Sequence, residues 1–265
     1  MRPDYSQLDR CQEHVFLASG GRDSTAMILE AWSLGIDGWM LHGDTGIEKR
    51  EALETLDRLH EQTGYSLVHV RPTCNVVDVL RDSFLNIPAT LEANRIHGQN
   101  TRNRFGCCED LKHKPMNRYI LSECKDAILV MGLKGSDGAI HRRYRMRQLK
   151  RAHTFYRLHV TNDLLYYYPL RDCSNEDIDT VLSEFGFSKT SHSGCRVCPI
   201  FVLSTNWCKR DPATWLRSRA YARKLGIRFP SDDQTEITQF CSGMTEPTRA
   251  ATSTASGNTK SSDAQ

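Results

Sequence analysis

The sequence predicts an α/β fold, a doubly wound and mostly parallel sheet flanked by helices. Short apolar runs alternate along the chain with segments of helical apolar spacing, an alternation typical of parallel sheets with right-handed crossovers. The first run, Val15–Ala18, leads through a glycine-rich turn directly into such a segment. With 265 residues, the chain is long enough for one α/β domain with a sizeable core.

Strands and helices follow in a regular order from that first unit. Strands are predicted at 15–18, 38–42, 66–70, 126–132 and 166–171, and helices at 25–32, 47–63, 76–84, 175–185 and 211–226. Ser174 is suited to cap the fourth of these helices, and Gly186 to end it. From Ser242 onward, small and polar residues show no apolar periodicity. We therefore predict one domain at 1–230 and a disordered tail at 231–265.

The turn after the first strand has the composition of a phosphate-binding loop. Gly20 and Gly21 let the backbone approach a ligand closely, and Ser19 and Ser24 add hydroxyl groups. The free N–H groups at the start of the following helix favour a bound anion. The turn lacks both the Gly-Lys-Ser/Thr ending of a Walker loop and the glycine spacing of the dinucleotide fingerprint. A βα turn without a ligand is the alternative.

A second polar turn, Asp44-Thr45-Gly46, follows the second predicted strand. Parallel strands present their carboxyl ends at one edge of the sheet, which is where open α/β sheets bind ligands. We therefore expect this turn to lie beside the glycine-rich one. A simpler role is also open, because Asp44 or Thr45 could cap the next helix.

Four cysteines form a pair and a CxxC motif, a set that can bind either Zn²⁺ or an iron–sulfur cluster: Cys107, Cys108, Cys195 and Cys198. Adjacent cysteines chelate one zinc ion poorly because their side chains diverge, so the pair suits a multi-iron cluster better. Zinc and a disulfide stay open as alternatives. We expect the remaining cysteines considered to be small buried residues: Cys11, Cys74, Cys124, Cys173 and Cys208.

Charge and hydropathy limit the partners and the compartment. The net charge of +3 is too small to identify a nucleic-acid-binding protein. Residues 141–151, however, carry six basic side chains and no acid, and residues 94–104 are also polar and basic. No apolar run is long enough to span a bilayer, and the first residues lack the apolar region of a signal peptide. A cytoplasmic protein without a membrane partner is therefore expected.

Six short motifs follow one another along the chain. They are Ser19-Gly-Gly-Arg-Asp-Ser24, Asp44-Thr-Gly46, Cys107-Cys-Glu-Asp-Leu-Lys112, Gly132-Leu-Lys-Gly135, Pro169-Leu-Arg-Asp172 and Cys195-Arg-Val-Cys-Pro199. In type and order they resemble the motifs of the phosphoadenylyl-sulfate (PAPS) reductase family and the N-type ATP pyrophosphatases. The pattern is most similar to the Dnd/Ssp-type DNA phosphorothioation ATP pyrophosphatases and the assimilatory adenylyl-sulfate (APS) reductases. The resemblance implies the adenine nucleotide alpha hydrolase fold.

The resemblance also implies which residues form the site, with ATP, Mg²⁺ and a 4Fe–4S cluster as cofactors. The nucleotide is expected at Ser19, Gly20, Gly21, Arg22, Asp23, Ser24, Thr25, Asp44, Thr45, Gly46, Gly132 and Lys134. Catalytic roles are expected for Asp23, Ser24, Asp44 and Lys112, and cluster ligation for Cys107, Cys108, Cys195 and Cys198. DNA phosphates are expected at Arg102, Arg104, Arg142, Arg143 and Arg145, with a solvated basic surface as the alternative.

By the same resemblance, ATP is cleaved to AMP and pyrophosphate, which adenylates a DNA backbone phosphate for replacement of a non-bridging oxygen by sulfur. Such an enzyme works on DNA within a multi-protein modification complex and takes sulfur from a cysteine desulfurase. The sequence is compatible with an oligomer. It is equally compatible with a solvated, non-catalytic role for Lys112.

The main alternative reaction is thioredoxin-dependent reduction of APS or PAPS to sulfite. Assimilatory reductases carry their nucleophile in a C-terminal Glu-Cys-Gly-Ile/Leu-His peptide. The corresponding stretch here, Gln239-Phe-Cys241-Ser-Gly, has neither the Glu nor the His, which disfavours that reaction. A tRNA thiolase and a non-catalytic cluster-binding or nucleotide-binding subunit are further alternatives.

Overall fold

The computed structural model of this chain describes residues 2–6, 8, 13–87, 106–135, 155–158, 164–187, 194–202 and 206–227. These residues form a six-stranded sheet in the order β3-β2-β1-β4-β6-β5. Its strands are β1 (His14–Leu17), β2 (Trp39–Gly43), β3 (Leu67–Val70), β4 (Ile128–Met131), β5 (Phe155–Leu158) and β6 (Leu164–Tyr167). Neighbouring strands among β3, β2, β1, β4 and β6 pair in parallel. At one edge of the sheet, β5 pairs antiparallel with β6. The predicted doubly wound, mostly parallel sheet is confirmed.

The helices connect the strands and cover the sheet. They are α1 (Arg22–Ser33), α2 (Arg50–Thr63), α3 (Val76–Leu85), α4 (Gly106–Cys108), α5 (Lys114–Glu123), α6 (Asn175–Glu184), α7 (Pro199–Val202), α8 (Asn206–Arg210) and α9 (Pro212–Lys224). A single π-helical turn, Glu109–His113, joins α4 to α5. Every one of these elements lies within Met1–Leu225, one of the two compact units into which the chain divides.

Both faces of the sheet are buried. Successive residues of β1 pack into two different hydrophobic cores, one on each face of the sheet. Phe16 packs into a core with Met27 of α1 and Val181 of α6. Val15 packs on the opposite face, in a core that includes Ile120 of α5. A strand covered on both faces is an uninterrupted apolar run, which is why β1 could be recognised in the sequence.

Most predicted elements occur close to their expected positions. Ser174 caps α6 in a full capping box with Asp177, as predicted, and Gly186 follows that helix with φ 78°. The second helix begins at Arg50, later than expected, and its N-cap residue is Lys49. Neither Asp44 nor Thr45 therefore caps it, and that alternative is wrong. The edge strand β5 was not predicted.

Several predictions fall on residues outside the described part of the chain. These are the basic stretches 94–104 and 141–151, and the whole of the proposed tail, 231–265. The domain boundary at residue 230 therefore stays a prediction. Within the described residues, no helix combines the length and the apolar character needed to cross a membrane.

Candidate nucleotide and cysteine site

The glycine-rich turn connects β1 to α1 in a tight, internally bonded loop. Gly20 has a left-handed backbone, φ 66°, and a Cβ at this position would lie 2.1 Å from the carbonyl oxygen of Ala52. The Ser24 hydroxyl lies 2.9 Å from the Ser19 hydroxyl and donates to the Gly21 carbonyl at 3.0 Å. These contacts fix the turn before any ligand binds, and only glycine fits at position 20.

The N-terminus of α1 is free to bind an anion. Its N-cap residue, Gly21, makes no side-chain capping bond, and the Thr25 N–H is already bonded to the Gly21 carbonyl. The N–H groups of Arg22, Asp23 and Ser24 therefore start the helix without intrahelical acceptors, and the helix dipole adds positive charge there. Such a helix start binds phosphate groups readily.

The turn after β4 lies against this helix start. A Cβ on Gly132 would come within 2.9 Å of the Ser24 backbone nitrogen, so a larger residue would crowd the first turn of α1. Lys134 is buried, and its ammonium group lies 2.5 Å from the Asp23 carboxylate. The structure thus brings the glycine-rich turn together with Gly132 and Lys134, as the sequence predicts.

Two residues of the loop face away from this position. The Arg22 guanidinium contacts Asp179 at 2.5 Å and the Asn175 carbonyl at 3.3 Å, so it joins α1 to α6. Thr25 is fully buried with its N–H in the helix. Arg22 still presents its backbone N–H at the helix start, whereas Thr25 presents no polar group there.

The Asp44-Thr45-Gly46 turn follows β2, beside β1, at the same sheet edge. The Asp44 carboxylate accepts from the Gly46 N–H at 3.0 Å and from the Arg71 guanidinium at 2.7 Å. Burial raises the pKa of Asp44, but these hydrogen bonds outweigh it and hold the pKa below its usual value. Asp44 is therefore a fixed carboxylate at this edge.

Thr45 connects this turn to Glu48. Its N–H and its hydroxyl both donate to Glu48 Oε1, at 2.7 and 2.6 Å. Glu48 stands opposite Cys195 in an isolated antiparallel bridge, flanked by hydrogen bonds from the Lys49 N–H to Gly194 and from the Arg196 N–H to Ile47. The CxxC segment is thereby attached directly to the turn that follows β2.

The four predicted cysteine ligands approach one another. Cys108 influences both Cys195 and Cys198 electrostatically, and Cys198 influences Cys107. All four are free thiols. Each pair is supported from another helix, because the Cys107 N–H donates to Ser83 Oγ of α3 at 2.9 Å and the Cys198 N–H donates to Ser218 Oγ of α9 at 2.9 Å. The cysteine pair and the CxxC motif are therefore electrostatically coupled, and their role as a ligand set stays a prediction.

The thiols differ in how easily they ionise. A hydrogen bond with Cys107 is the largest cause that lowers the pKa of Cys108, to about 7, and the Lys112 ammonium contributes to it. The same hydrogen bond, with burial, raises the pKa of Cys107. Burial raises the pKa of Cys195 to about 11 and that of Cys198 to about 12. The Lys112 ammonium acts to lower the pKa of both Cys108 and Cys195, so it acts on two of the four thiols. We call the four thiols the cysteine cluster.

The donor set fits an iron–sulfur cluster in the number and type of its ligands. The adjacent Cys107 and Cys108 thiols influence each other's pKa. The expectation that such a pair chelates one zinc ion poorly stays a prediction. Within the described residues, no three His, Cys, Asp or Glu side chains already form a set that could hold a single metal ion.

The sequence missed two residues of this site, Glu48 and Arg71. Glu48 had a detectable signal, because Thr-x-x-Glu is the pattern in which a glutamate reaches back to the threonine N–H. Arg71 follows β3 without any motif. Among the remaining cysteines, Cys124, Cys173 and Cys208 are buried as expected, whereas Cys74 is exposed. Cys11 and the five proposed DNA-binding arginines lie outside the described residues.

The fold and the site define an α/β protein with a mostly parallel sheet, in which a glycine-rich turn follows β1 and the turn after β2 is bridged to the CxxC segment. The profile of the phosphoadenosine phosphosulfate reductase domain matches residues 13–218. The chain therefore belongs to the phosphoadenosine phosphosulfate reductase domain family, a family named for an enzyme. No curated protein matches the sequence.

Three solved structures illustrate the similarity. A PAPS reductase from Candida auris, in a phosphate complex, is 10% identical with a TM-score of 0.44, covering 68% of this chain and 75% of its own. The U34-tRNA thiolase NcsA from Methanococcus maripaludis, with its 4Fe–4S cluster, is 17% identical with a TM-score of 0.44, covering 85% and 76%. The NH₃-dependent NAD synthetase from Campylobacter jejuni is 16% identical with a TM-score of 0.38, covering 85% and 90%.

Proposed function

We propose that the chain is an ATP pyrophosphatase of a sulfur-transfer pathway that adenylates a DNA backbone phosphate for phosphorothioate modification. One observation carries the proposal. The uncapped N-terminus of α1 and the cysteine cluster lie at the same edge of the sheet, next to neighbouring strands. An anion-binding helix start suits the phosphates of ATP, and four thiols suit a 4Fe–4S cluster.

The nucleotide steps follow from the residues of the loop. The helix N–H groups bind the β- and γ-phosphates, and Mg²⁺, when bound with the nucleotide, would supply positive charge for the departing pyrophosphate. An oxygen of the DNA phosphate attacks the α-phosphorus, the α–β bond breaks, and pyrophosphate leaves. Lys134, buried beside Asp23, offsets the negative charge of that carboxylate at the same helix start. The adenylated phosphate is then open to attack by sulfur, with AMP as the leaving group.

Cys107, Cys108, Cys195 and Cys198 would hold the cluster. When bound, an iron–sulfur cluster supplies iron sites that can carry sulfide or electrons. Lys112 is placed to balance the negative charge of the thiolates, since it already acts on Cys108 and Cys195. DNA contacts are assigned to Arg102, Arg104, Arg142, Arg143 and Arg145. A cysteine desulfurase and a multi-protein complex in the cytoplasm complete the proposal.

Reduction of a sulfonucleotide is the second candidate, and the family to which the chain belongs favours it. The two reactions have different substrates and products. We expect purified, iron-loaded protein to convert ATP to AMP and pyrophosphate in the presence of Mg²⁺ and DNA. Release of sulfite from APS or PAPS with thioredoxin, and no pyrophosphate from ATP, would support the reductase and contradict the proposal.

The loop assignment has its own test in Ser24→Ala. The substitution removes the hydroxyl that ties Ser19 and Gly21 together, so we expect nucleotide affinity to fall about tenfold, the equivalent of one hydrogen bond of about 1.4 kcal/mol. Ser33→Ala removes a comparable hydroxyl contact at the other end of α1 and serves as the control. Equal affinities of the two variants for ATP would refute the loop assignment.

A further inference from the structure

Glu48 is a buried carboxylate between the two halves of the site. It is 9% exposed, and carboxylates are rarely so buried unless they are paired. Oε1 accepts both hydrogen bonds from Thr45, whereas Oε2 has no donor among the described residues. The Glu48 side chain also contributes to lowering the pKa of the neighbouring Asp44. The burial of Glu48 therefore needs an explanation beyond local packing.

The backbone around Glu48 carries the CxxC segment. Cys195 is its partner in the bridge, with the Lys49 N–H bonded to Gly194 at 3.1 Å and the Arg196 N–H bonded to Ile47 at 2.7 Å. Lys49 also pairs with Asp211 at the start of α9. A displacement of Glu48 must therefore move Cys195 or break this short ladder.

We propose that Glu48 is a positioning residue that couples nucleotide binding at the Asp44-Thr45-Gly46 turn to the geometry of the cysteine cluster. This inference rests on the proposed function, because it needs a nucleotide at one end and a cluster at the other. A ligand that reorients Thr45 displaces the Glu48 carboxylate, to which Thr45 is hydrogen-bonded. The displacement of Glu48 then moves Cys195, its partner in the backbone bridge. By linkage, the loaded cluster changes nucleotide affinity by the same factor.

The test measures the affinity for α,β-methylene-ATP of metal-free and iron-loaded protein. We expect the two affinities to differ by at least about fivefold in the wild-type chain, a typical size for coupling between two sites. Glu48→Ala should reduce the ratio to less than about twofold. Glu51→Gln, at an exposed position in the first turn of α2, should leave the ratio as it is in the wild type.

A second measurement separates positioning from general support of the fold. Glu48→Gln keeps an acceptor for Thr45 but removes one negative charge beside the cluster, so the reduction potential should become more positive. Glu51→Gln should leave the potential unchanged. This readout remains decisive if Glu48→Ala does not fold.

The outcomes separate the inference from the function on which it rests. A coupling ratio that survives in Glu48→Ala, or a potential that Glu48→Gln leaves unchanged, would overturn the inference. Nucleotide binding to the wild-type chain with no dependence on iron would overturn it as well, and the proposed function would stand. A wild-type chain that binds no nucleotide, or takes up no iron, would contradict both.

Discussion

Gly20 is the residue on which the shape of the glycine-rich turn most depends. Its φ of 66° already disfavours a side chain, and its α-carbon faces the Ala52 backbone so closely that a methyl group would lie 2.1 Å from a carbonyl oxygen. Gly35 has nearly the same φ, 67°, but a methyl group there would meet nothing within 4 Å. The two positions therefore separate backbone strain from a steric clash.

We expect Gly35→Ala to lower the free energy of unfolding by about 1 kcal/mol, the cost of a left-handed alanine. Gly20→Ala should lower it by about 2–4 kcal/mol, because the contact with Ala52 adds the cost of overpacking against rigid backbone. Urea unfolding at neutral pH measures both. Equal losses at the two positions would mean that the loop does not pack against α2 as described.

Ionisation of Tyr65 makes the stability of the fold depend on pH in the alkaline range. Its ring stacks on Phe16 with centroids 5.4 Å apart, and its hydroxyl donates to the Ile36 carbonyl. Burial, with a smaller effect of Asp37, raises the pKa of Tyr65 to about 12 from 10.0. Because the unfolded chain ionises first, stability from this group is complete below pH 10.0 and is lost as pH rises to about 12.

Tyr65→Phe tests that dependence. The variant should be less stable than the wild type by about 1 kcal/mol at pH 8, where it lacks the hydrogen bond to Ile36. The difference should shrink between pH 10.0 and about 12, because only the wild type has this group to ionise. Thermal unfolding across this range measures the two curves. Parallel curves would show that the Tyr65 hydroxyl is not buried.

At the scale of elements, the strands were the part of the fold that the sequence could predict. β1, β2 and β4 are covered on both faces, so their residues are apolar in succession. β5 gave no such signal, because its four residues lie beside a basic stretch and their pairing with β6 is a tertiary contact. The π-helical turn after Cys108 likewise follows from packing that no local pattern records.

The site was predictable to a similar extent. The motifs identified the loop, the Asp44 turn and the cysteines, since each depends on a short run of particular residues. The bridge between Glu48 and Cys195 joins segments far apart in the chain, and only the folded structure brings them together. The side-chain direction of Arg22 was equally hidden, because its partner Asp179 lies on α6.

One tertiary contact between elements is open to a direct test. Lys49 and Asp211, the residues that precede α2 and α9, form an ion pair with side chains only 12% and 16% exposed. Burial raises the pKa of Asp211, but Lys49 and the Thr214 N–H outweigh it and lower the pKa below 3.8. The stability that this lowered pKa contributes is present above pH 3.8 and is lost as the pH falls below it.

Lys49→Met should lower the free energy of unfolding by about 1–3 kcal/mol at pH 7, because it leaves Asp211 partly buried without its cation. The deficit should diminish below pH 3.8, where Asp211 becomes protonated. Lys125→Met, at an exposed lysine after α5, is the control and should change stability by less than about 0.5 kcal/mol. A deficit that is independent of pH would contradict the ion pair.

At the scale of the whole molecule, every described helix and strand ends by Lys224, and both halves of the site lie before that residue. The composition after Ser242 predicts a tail that contributes nothing to the core. The predicted tail, 231–265, contains Cys241, the residue that a sulfonucleotide reductase would need as its nucleophile. The two candidate reactions therefore make opposite demands on the C-terminal residues.

A chain that ends at residue 230 uses this difference. Under the proposed function, the shortened protein should keep the thermal stability of the full chain, its affinity for ATP within about twofold, and its release of pyrophosphate, since the loop and the four cysteines are retained. Cys241→Ser in the full chain is the matched control for loss of the thiol alone. If sulfite release from APS disappears in both variants while ATP is never cleaved, the chain is a reductase, and its C-terminal cysteine is the attacking group.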